Sequence, residues 1–159
     1  MKLAAVDHRQ GQASSDTILE LARTRQEQAA GAYAGALTPS EAWTLFSRGA
    51  ASLVDVRTAA ELCYVGRVPG VQHVEWRGAD RPAVTDFLAE LKEQAAPGDT
   101  LMLLCRSAVR SHHAAAAATA AGWRQVFNVL EGFEGRRNPL QQRGAIDGWR
   151  HRGLPWIQD

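Results

Sequence analysis

From residue 37 onward, short apolar segments alternate with amphipathic segments along the chain. The apolar segments predict buried strands, which cover residues 51–56, a stretch within 71–76, residues 101–105 and residues 125–130. The amphipathic segments predict helices, which cover residues 38–46, 58–63, 83–94 and 111–121. Strands that alternate with helices are typical of a mainly parallel sheet with helices on both faces. The pattern therefore predicts an α/β fold.

The first 36 residues follow a different pattern. Residues 17–30 predict one amphipathic helix with an apolar stripe of Ile18, Leu19, Leu21 and Ala22, and the glycines of GAYAG predict its end. We therefore divide the chain into a helical extension with a linker, residues 1–36, and a main domain, residues 37–159. The apolar stripe is suited to pack on the main domain or on a second copy of the chain as a homodimer, and the sequence does not choose between them.

Composition narrows the classes of function. The chain has 159 residues, enough for one main domain, and its 18 Lys and Arg residues nearly balance 17 Asp and Glu residues, which argues against nucleic-acid binding. No apolar run is long enough to span a membrane, and the opening residues contain no apolar run long enough for the hydrophobic part of a secretory leader, so we expect none. With only two cysteines, we expect a cytoplasmic protein with free thiols. Five arginines near the C-terminus are interpreted as a solvated loop rather than a partner-binding patch: Arg136, Arg137, Arg143, Arg150 and Arg152.

Candidate chemistry centres on Cys105, which lies where a predicted strand ends and a predicted helix begins. The unpaired N–H groups of that helix, the loop amides and the charges of Arg106 and Arg110 all favour the anionic thiolate, the reactive form of cysteine. Cys63 has no cation nearby and is interpreted as a packing cysteine. The five histidines show no metal-ligand spacing, so we expect no metal.

Four stretches occur in the order seen in the rhodanese family of single-domain sulfurtransferases, and together they resemble that family. LVDVR with Glu61 resembles its first strand and acidic turn, and GRVPGVQHV resembles its G-H-I-P-G-A-x-N-I segment. CRSAVRS resembles the active-site loop, and VLEGFEG with the later GWRHRGLP resembles the closing segment, with about a dozen extra residues between its halves. The resemblance implies a rhodanese-like fold with a central, mainly parallel five-stranded sheet.

The resemblance also implies an activity: a sulfane sulfur passes from thiosulfate or a similar donor to cyanide or a thiol through a persulfide on Cys105. It implies a small anionic donor, a thiol or protein acceptor and no cofactor. The resemblance implies a substrate-binding loop made of Arg106, Ser107, Ala108, Val109, Arg110 and Ser111. It implies structural support from Asp55, Arg57 and Glu61. From the residues themselves we expect Asp55 and Arg57 to serve as a charge pair that fixes the strand end, with Glu61 as a candidate partner of Arg57. Ala108 stands where the family loop commonly has glycine, and a positive φ there would cost about 1 kcal/mol.

Two alternatives belong to other functional classes. The first is a cysteine phosphatase or arsenate reductase on the same fold, whose loops place five residues between cysteine and arginine. Here four residues separate Cys105 from Arg110, one too few to wrap a tetrahedral phosphate, which favours sulfur transfer. The second is a non-catalytic binding or regulatory module. Inactive copies of the fold commonly lack the cysteine, so the presence of Cys105 with both arginines favours an enzyme.

Overall fold

The computed structural model describes residues 13–28 and 31–159. The description contains five helices, α1 to α5, which are Ser15–Gln28, Pro39–Ser47, Ala59–Tyr64, Arg81–Gln94 and Val109–Ala120. It contains five strands, β1 to β5, which are Gly35–Leu37, Ser52–Asp55, Gln72–His73, Thr100–Leu104 and Gln125–Val129. None of the described helices is long and apolar enough to cross a bilayer.

The five strands form one sheet in the order β1-β5-β4-β2-β3, and every neighbouring pair is parallel. The predicted α/β fold with a mainly parallel five-stranded sheet is therefore confirmed. Parallel strands place their carboxyl ends at one edge, where open α/β sheets bind their ligands. Strand β4 ends directly before Cys105, and the neighbouring strand β5 contains Asn128.

Local sequence signals set most element boundaries. Thr38 and Glu41 form the predicted capping box at the start of α2, and Thr58 and Glu61 form a second one at the start of α3. Several predicted boundaries differ from the structure. The strand expected within residues 71–76 is reduced to two residues, and α1, α4 and α5 each begin two residues earlier than predicted. The predicted end of α1, residue 30, lies outside the described residues.

The sheet buries a separate apolar cluster on each face. Alternate residues of β4 point to opposite faces, so that Leu101 and Leu103 join one cluster while Met102 and Leu104 join the other. Helices α4 and α5 cover the first face, and the alanines of α5 allow that helix to approach the sheet closely. Helices α1 and α2 cover the second face.

Helix α1 packs on the same core as α2. Ile18 and Ala22 are buried there, and a side chain at Gly35 would come within 2.7 Å of the Ala22 backbone, which indicates a close approach of α1 to β1. The apolar stripe of α1 thus packs on its own chain, while Leu21 stays about half exposed at 48%. The division at residues 36 and 37 stays a prediction, as does a homodimer through this helix.

Candidate active site

Cys105 directly follows β4, at the edge formed by the carboxyl ends of the parallel strands. Its side chain is buried, with 1% of the residue exposed. The turn after β5 holds the backbone here: the Phe133 N–H donates to the Cys105 carbonyl at 2.8 Å. The N–H groups of Glu134 and Gly135 donate to the Arg106 carbonyl at 3.0 and 3.2 Å. The carbonyls that open the active-site loop are therefore fixed by backbone contacts.

This contact requires a glycine at position 132. Gly132 has φ +73, and a Cβ there would lie 2.4 Å from both the carbonyl carbon and the carbonyl oxygen of Arg106. No larger residue would fit without moving one of the two segments. The glycine after β5 thus lets the turn lie directly against the loop.

The loop amides are left without protein acceptors. From Arg106 to Ser111, no backbone N–H group has a hydrogen-bond acceptor within residues 13–28 and 31–159. Three of these groups begin α5, whose positive dipole end faces the same region. Successive free N–H groups of this kind form a concave site for an anion.

Ala108 adopts the left-handed conformation, with φ 72 and ψ 2, immediately before α5. The φ at Ala108 is therefore positive, and the methyl group costs about 1 kcal/mol relative to glycine. Asn128 donates from Nδ2 to the Ala108 carbonyl at 3.2 Å, and the His112 N–H donates to the same oxygen at 3.2 Å. These two contacts help to hold the strained residue.

Ser111 connects the cysteine to the sheet. Its Oγ lies 3.2 Å from Cys105 Sγ and donates to Asn128 Oδ1 at 2.6 Å, with both serine and asparagine buried. Asn128 also approaches the Tyr33 hydroxyl at 3.5 Å, and that hydroxyl lies 2.7 Å from His112 Nδ1. Burial raises the pKa of Tyr33, against smaller opposing effects of its hydrogen bonds to Asn128 and Gln26.

Glu61 pairs with Arg110, which corrects the expectation that it pairs with Arg57. The two carboxylate oxygens accept from Arg110 Nη1 and Nη2 at 2.8 and 2.6 Å. Burial alone would raise the pKa of Glu61, but the hydrogen bonds from Arg110 and Thr58 outweigh it and lower the pKa to about 2. The same pairing raises the pKa of Arg110 against the effect of its burial, and the charges of Cys105 and Asp55 add to the increase.

Arg57 instead forms a fully buried pair with Asp55. Arg57 Nη2 donates to Asp55 Oδ2 and to the Gly66 carbonyl, both at 2.8 Å, and its guanidinium lies 4.1 Å from the centre of the Phe133 ring. Its Nη1 atom has no partner within the described residues. The pair lies at the carboxyl end of β2, beside the strand that leads to Cys105.

The C-terminal arginines divide into two groups. Arg136, Arg150 and Arg152 form ion pairs with Asp147, Glu134 and Glu131. Within the described part of the chain, Arg137 and Arg143 have no carboxylate partner within 4 Å, and neither has Arg106 of the loop. Arg143 Nη1 donates to the Gly135 carbonyl at 2.8 Å, which ties it to the turn that holds the loop. Burial lowers the pKa of Arg143, and the positive charges of Arg106 and Arg137 lower it further.

Arg143 reaches the turn that contacts the loop and feels the charges of Arg106 and Arg137, so we call these three arginines the cationic rim of the candidate site. A cleft of about 520 Å³ borders the other side of the loop, where Ser107, Ala108 and Val109 line it together with Tyr33 and His112. The described residues contain no group of three or more His, Cys, Asp or Glu side chains that could hold a metal ion.

Of the predicted loop residues, the structure brings Ser111 into contact with Cys105 Sγ, and it places Asp55 at the end of β2 and Glu61 in the first turn of α3. Cys63 is exposed, so its interpretation as a packing cysteine is wrong. Sequence reasoning missed Asn128 and Tyr33. The signal for Asn128 was available, because it is a polar residue inside the otherwise apolar strand β5.

Comparison with known proteins agrees with this geometry. The rhodanese-like domain family matches residues 38–138. The crystal structure of Rv0390 from M. tuberculosis is 42% identical and superposes with a TM-score of 0.69, covering 80% of this chain and 99% of that one.

Two more distant structures share the fold at lower identity. The polysulfide-sulfur transferase homodimer of Wolinella succinogenes is 19% identical, with a TM-score of 0.54 over 92% of this chain and 95% of that one. RPA3614 of Rhodopseudomonas palustris, described as a possible tyrosine phosphatase, is 21% identical, with a TM-score of 0.55 over 94% and 98% of the two chains. Both likenesses concern the fold alone.

Proposed function

Because this chain belongs to the rhodanese-like domain family, we propose that it is a sulfurtransferase in which Cys105 carries a sulfane sulfur as a persulfide. The observation that carries the proposal is the row of loop amides from Arg106 to Ser111, which directly follows the buried Cys105 and has no hydrogen-bond acceptor within the described residues. An anionic persulfide is the kind of group that such amides stabilise.

The reaction consists of two displacements at sulfur. The Cys105 thiolate, having lost its proton to solvent, attacks the outer sulfur of thiosulfate; a new S–S bond forms as the S–S bond of the donor breaks, and sulfite leaves with the electron pair. In the second step cyanide or a thiol attacks the outer sulfur of the persulfide. Thiocyanate or a new persulfide leaves, and the Cys105 thiolate is restored.

The cationic rim supports an anionic donor. Thiosulfate carries two negative charges, and guanidinium groups match such oxyanions in geometry and charge. Arg106, Arg137 and Arg143 are available for this role because no carboxylate of the described residues forms an ion pair with them within 4 Å. Arg110 has both terminal nitrogens on Glu61, so we assign it a part in ordering α3 and α5 and in supplying positive charge near Cys105.

The same pairing argues against phosphate chemistry. A phosphatase loop of this kind directs its arginine at the bound phosphate, whereas Arg110 is directed at Glu61. The spacing of four residues between Cys105 and Arg110 points the same way.

The test is formation of thiocyanate from thiosulfate and cyanide. We expect turnover in the wild type and in Cys63→Ser, and none in Cys105→Ser. Arg137→Gln and Arg143→Gln should each raise KM for thiosulfate severalfold with little change in kcat, because the rim binds the donor and takes no part in bond breaking. Arg152→Gln is the matched control, since its charge is already neutralised by Glu131.

Two outcomes would contradict the proposal. Hydrolysis of p-nitrophenyl phosphate that is lost in Cys105→Ser, without sulfur transfer, would favour the phosphatase alternative. Absence of turnover with thiosulfate and with other sulfane donors would favour the binding module.

A further inference from the structure

The buried Ser111 hydroxyl has two neighbours that compete for its single hydrogen. Asn128 Oδ1 lies 2.6 Å from Ser111 Oγ, and Cys105 Sγ lies 3.2 Å from it. A carbonyl oxygen can only accept, so a contact as short as 2.6 Å requires the hydrogen to lie between Ser111 and Asn128.

The orientation of the Asn128 amide is fixed by its other contacts. Nδ2 donates to the Ala108 carbonyl at 3.2 Å and approaches the Tyr33 hydroxyl at 3.5 Å. Rotating the amide by 180° would place two oxygen atoms, Asn128 Oδ1 and the Ala108 carbonyl, against each other with no hydrogen between them. Asn128 therefore presents its oxygen to Ser111.

A lone pair of Ser111 then faces Cys105. This arrangement matches a thiol, whose S–H can donate to Oγ, and it opposes a thiolate, which needs a donor. The other groups near the cysteine either favour the thiolate or are already paired. The loop amides, Arg106 and Arg110 favour the thiolate. The acidic groups are paired, Glu61 with Arg110 and Asp55 with Arg57, and the Tyr33 hydroxyl contacts His112.

We propose that Asn128 is a positioning residue that restrains the reactivity of Cys105 by holding the Ser111 hydroxyl hydrogen away from the sulfur. The free loop amides favour the Cys105 thiolate, whereas the Asn128–Ser111 pair favours the thiol. The thiolate needed for the proposed sulfur transfer therefore forms less readily than the amides alone would allow. The inference concerns regulation of that same site and rests on Cys105 being its nucleophile.

Alkylation of Cys105 by iodoacetamide tests the inference without any sulfur donor. The thiolate displaces iodide and forms an S–C bond after the thiol proton has gone to solvent, so the pH dependence of the rate reports how readily the thiolate forms. The measurement uses the full chain with Cys63→Ser, which leaves Cys105 as its only thiol. Failure of sulfur transfer would leave this result unaffected, so the two proposals fail separately.

The decisive variant is Ser111→Ala, because two accounts of the hydroxyl predict opposite signs. If Asn128 holds the hydrogen, removing the hydroxyl takes an acceptor from the thiol, and the midpoint of the alkylation profile moves to lower pH. If the hydroxyl donates to the thiolate, its removal moves the midpoint to higher pH, which would overturn the proposal.

Asn128→Leu tests the positioning residue itself. The near-isosteric leucine releases the Ser111 hydroxyl to donate to sulfur, so the midpoint should move to lower pH by about one unit, the effect of one hydrogen bond to a charged group. In a protein that already carries Ser111→Ala, adding Asn128→Leu should not shift the midpoint again, because no hydroxyl is left to release. An unshifted midpoint in folded Asn128→Leu, or a full further shift without the hydroxyl, would overturn the proposal.

A third variant, Asn128→Asp, tests the inference if the protein with Asn128→Leu does not fold. Asn128→Asp keeps an acceptor for Ser111 and adds a negative charge nearby, so the midpoint should move to higher pH. A midpoint at lower pH in Asn128→Asp would contradict the inference.

Discussion

At the scale of single residues, the site depends on Ala108 in a conformation that alanine rarely adopts. Its φ of 72 lets the chain leave the loop and enter α5 directly, so that α5 begins four residues after Cys105. The strain is local, because both contacts to the Ala108 carbonyl would be kept by a glycine at this position. Replacement by glycine should therefore relieve strain without disturbing the site.

We predict that Ala108→Gly leaves the free energy of unfolding unchanged or raises it by up to about 1 kcal/mol, as relief of strain exceeds the added freedom of the unfolded chain. The control is Ala116→Gly, in the middle of α5, which should lower it by about 1 kcal/mol. Urea unfolding of the two variants measures both. Equal destabilisation by the two substitutions would show that Ala108 is not strained.

The sequence predicted the position of Cys105 between β4 and α5 more reliably than the partners of the residues near it. Cys105 could be chosen as the candidate nucleophile because a thiol between an apolar strand and a helix, next to two arginines, has a recognisable environment. The partner of Glu61 could not be chosen, since Arg57 and Arg110 are both plausible by charge, and only the tertiary fold brings Arg110 rather than Arg57 to Glu61. Exposure of Cys63 also depends on packing, which its local sequence did not indicate.

At the scale of elements, the Glu61–Arg110 pair joins α3 to α5 and so joins the acidic turn to the active-site loop. Glu61 takes part in two structures at once, as it also completes the capping box of α3 with Thr58. Its pKa is lowered from 4.5 to about 2 in the folded protein. A carboxyl whose pKa is lower in the folded state stabilises the fold above its ordinary pKa and loses that contribution as pH falls toward the folded value.

We predict that Glu61→Gln lowers the free energy of unfolding at pH 7 and that the difference from wild type shrinks as pH falls from about 4.5 to about 2. Chemical unfolding at a series of pH values measures this difference. Glu93→Gln, on the exposed face of α4, is the matched control and should show little difference at pH 7. A Glu61→Gln difference that is constant between pH 7 and pH 2 would contradict the account of this pair.

Strand β1 shows where pattern reading failed for a whole element. Gly35–Leu37 has three residues, begins with glycine and contains no β-branched side chain, so it resembled a linker. It is a strand because β5 offers a free edge and because Gly35 lets α1 approach it closely. The longer apolar strands β4 and β5 needed no such context and were predicted within one or two residues.

At the scale of the whole molecule, α1 contributes to the core on one face of the sheet. Ile18 and Ala22 are buried among residues of α2, β1 and β5, and Arg25 binds Glu41 of α2 through two contacts of 2.7 Å. These contacts predict that α1 unfolds together with the sheet. The apolar stripe alone left open whether this helix packs on its own chain or on another.

We predict that Ile18→Ala lowers the free energy of unfolding by about 2–4 kcal/mol while keeping a single cooperative transition, because it removes buried methyl groups from the core. Leu21→Ala, in the same helix but 48% exposed, should change it by about 0.5 kcal/mol or less. Urea unfolding checks both variants. If Ile18→Ala behaves like Leu21→Ala, then α1 does not share the core.

The central claim is that Cys105 carries the transferred sulfur, and intact-mass spectrometry tests it most directly. The protein is mixed with thiosulfate, weighed, and weighed again after cyanide is added, beside Cys105→Ser and Cys63→Ser. We predict that the wild type and Cys63→Ser gain the mass of one sulfur atom, that cyanide removes it with release of thiocyanate, and that Cys105→Ser gains nothing. Sulfur retained by Cys105→Ser, or no gain on any variant with thiosulfate or other sulfane donors, would contradict the account.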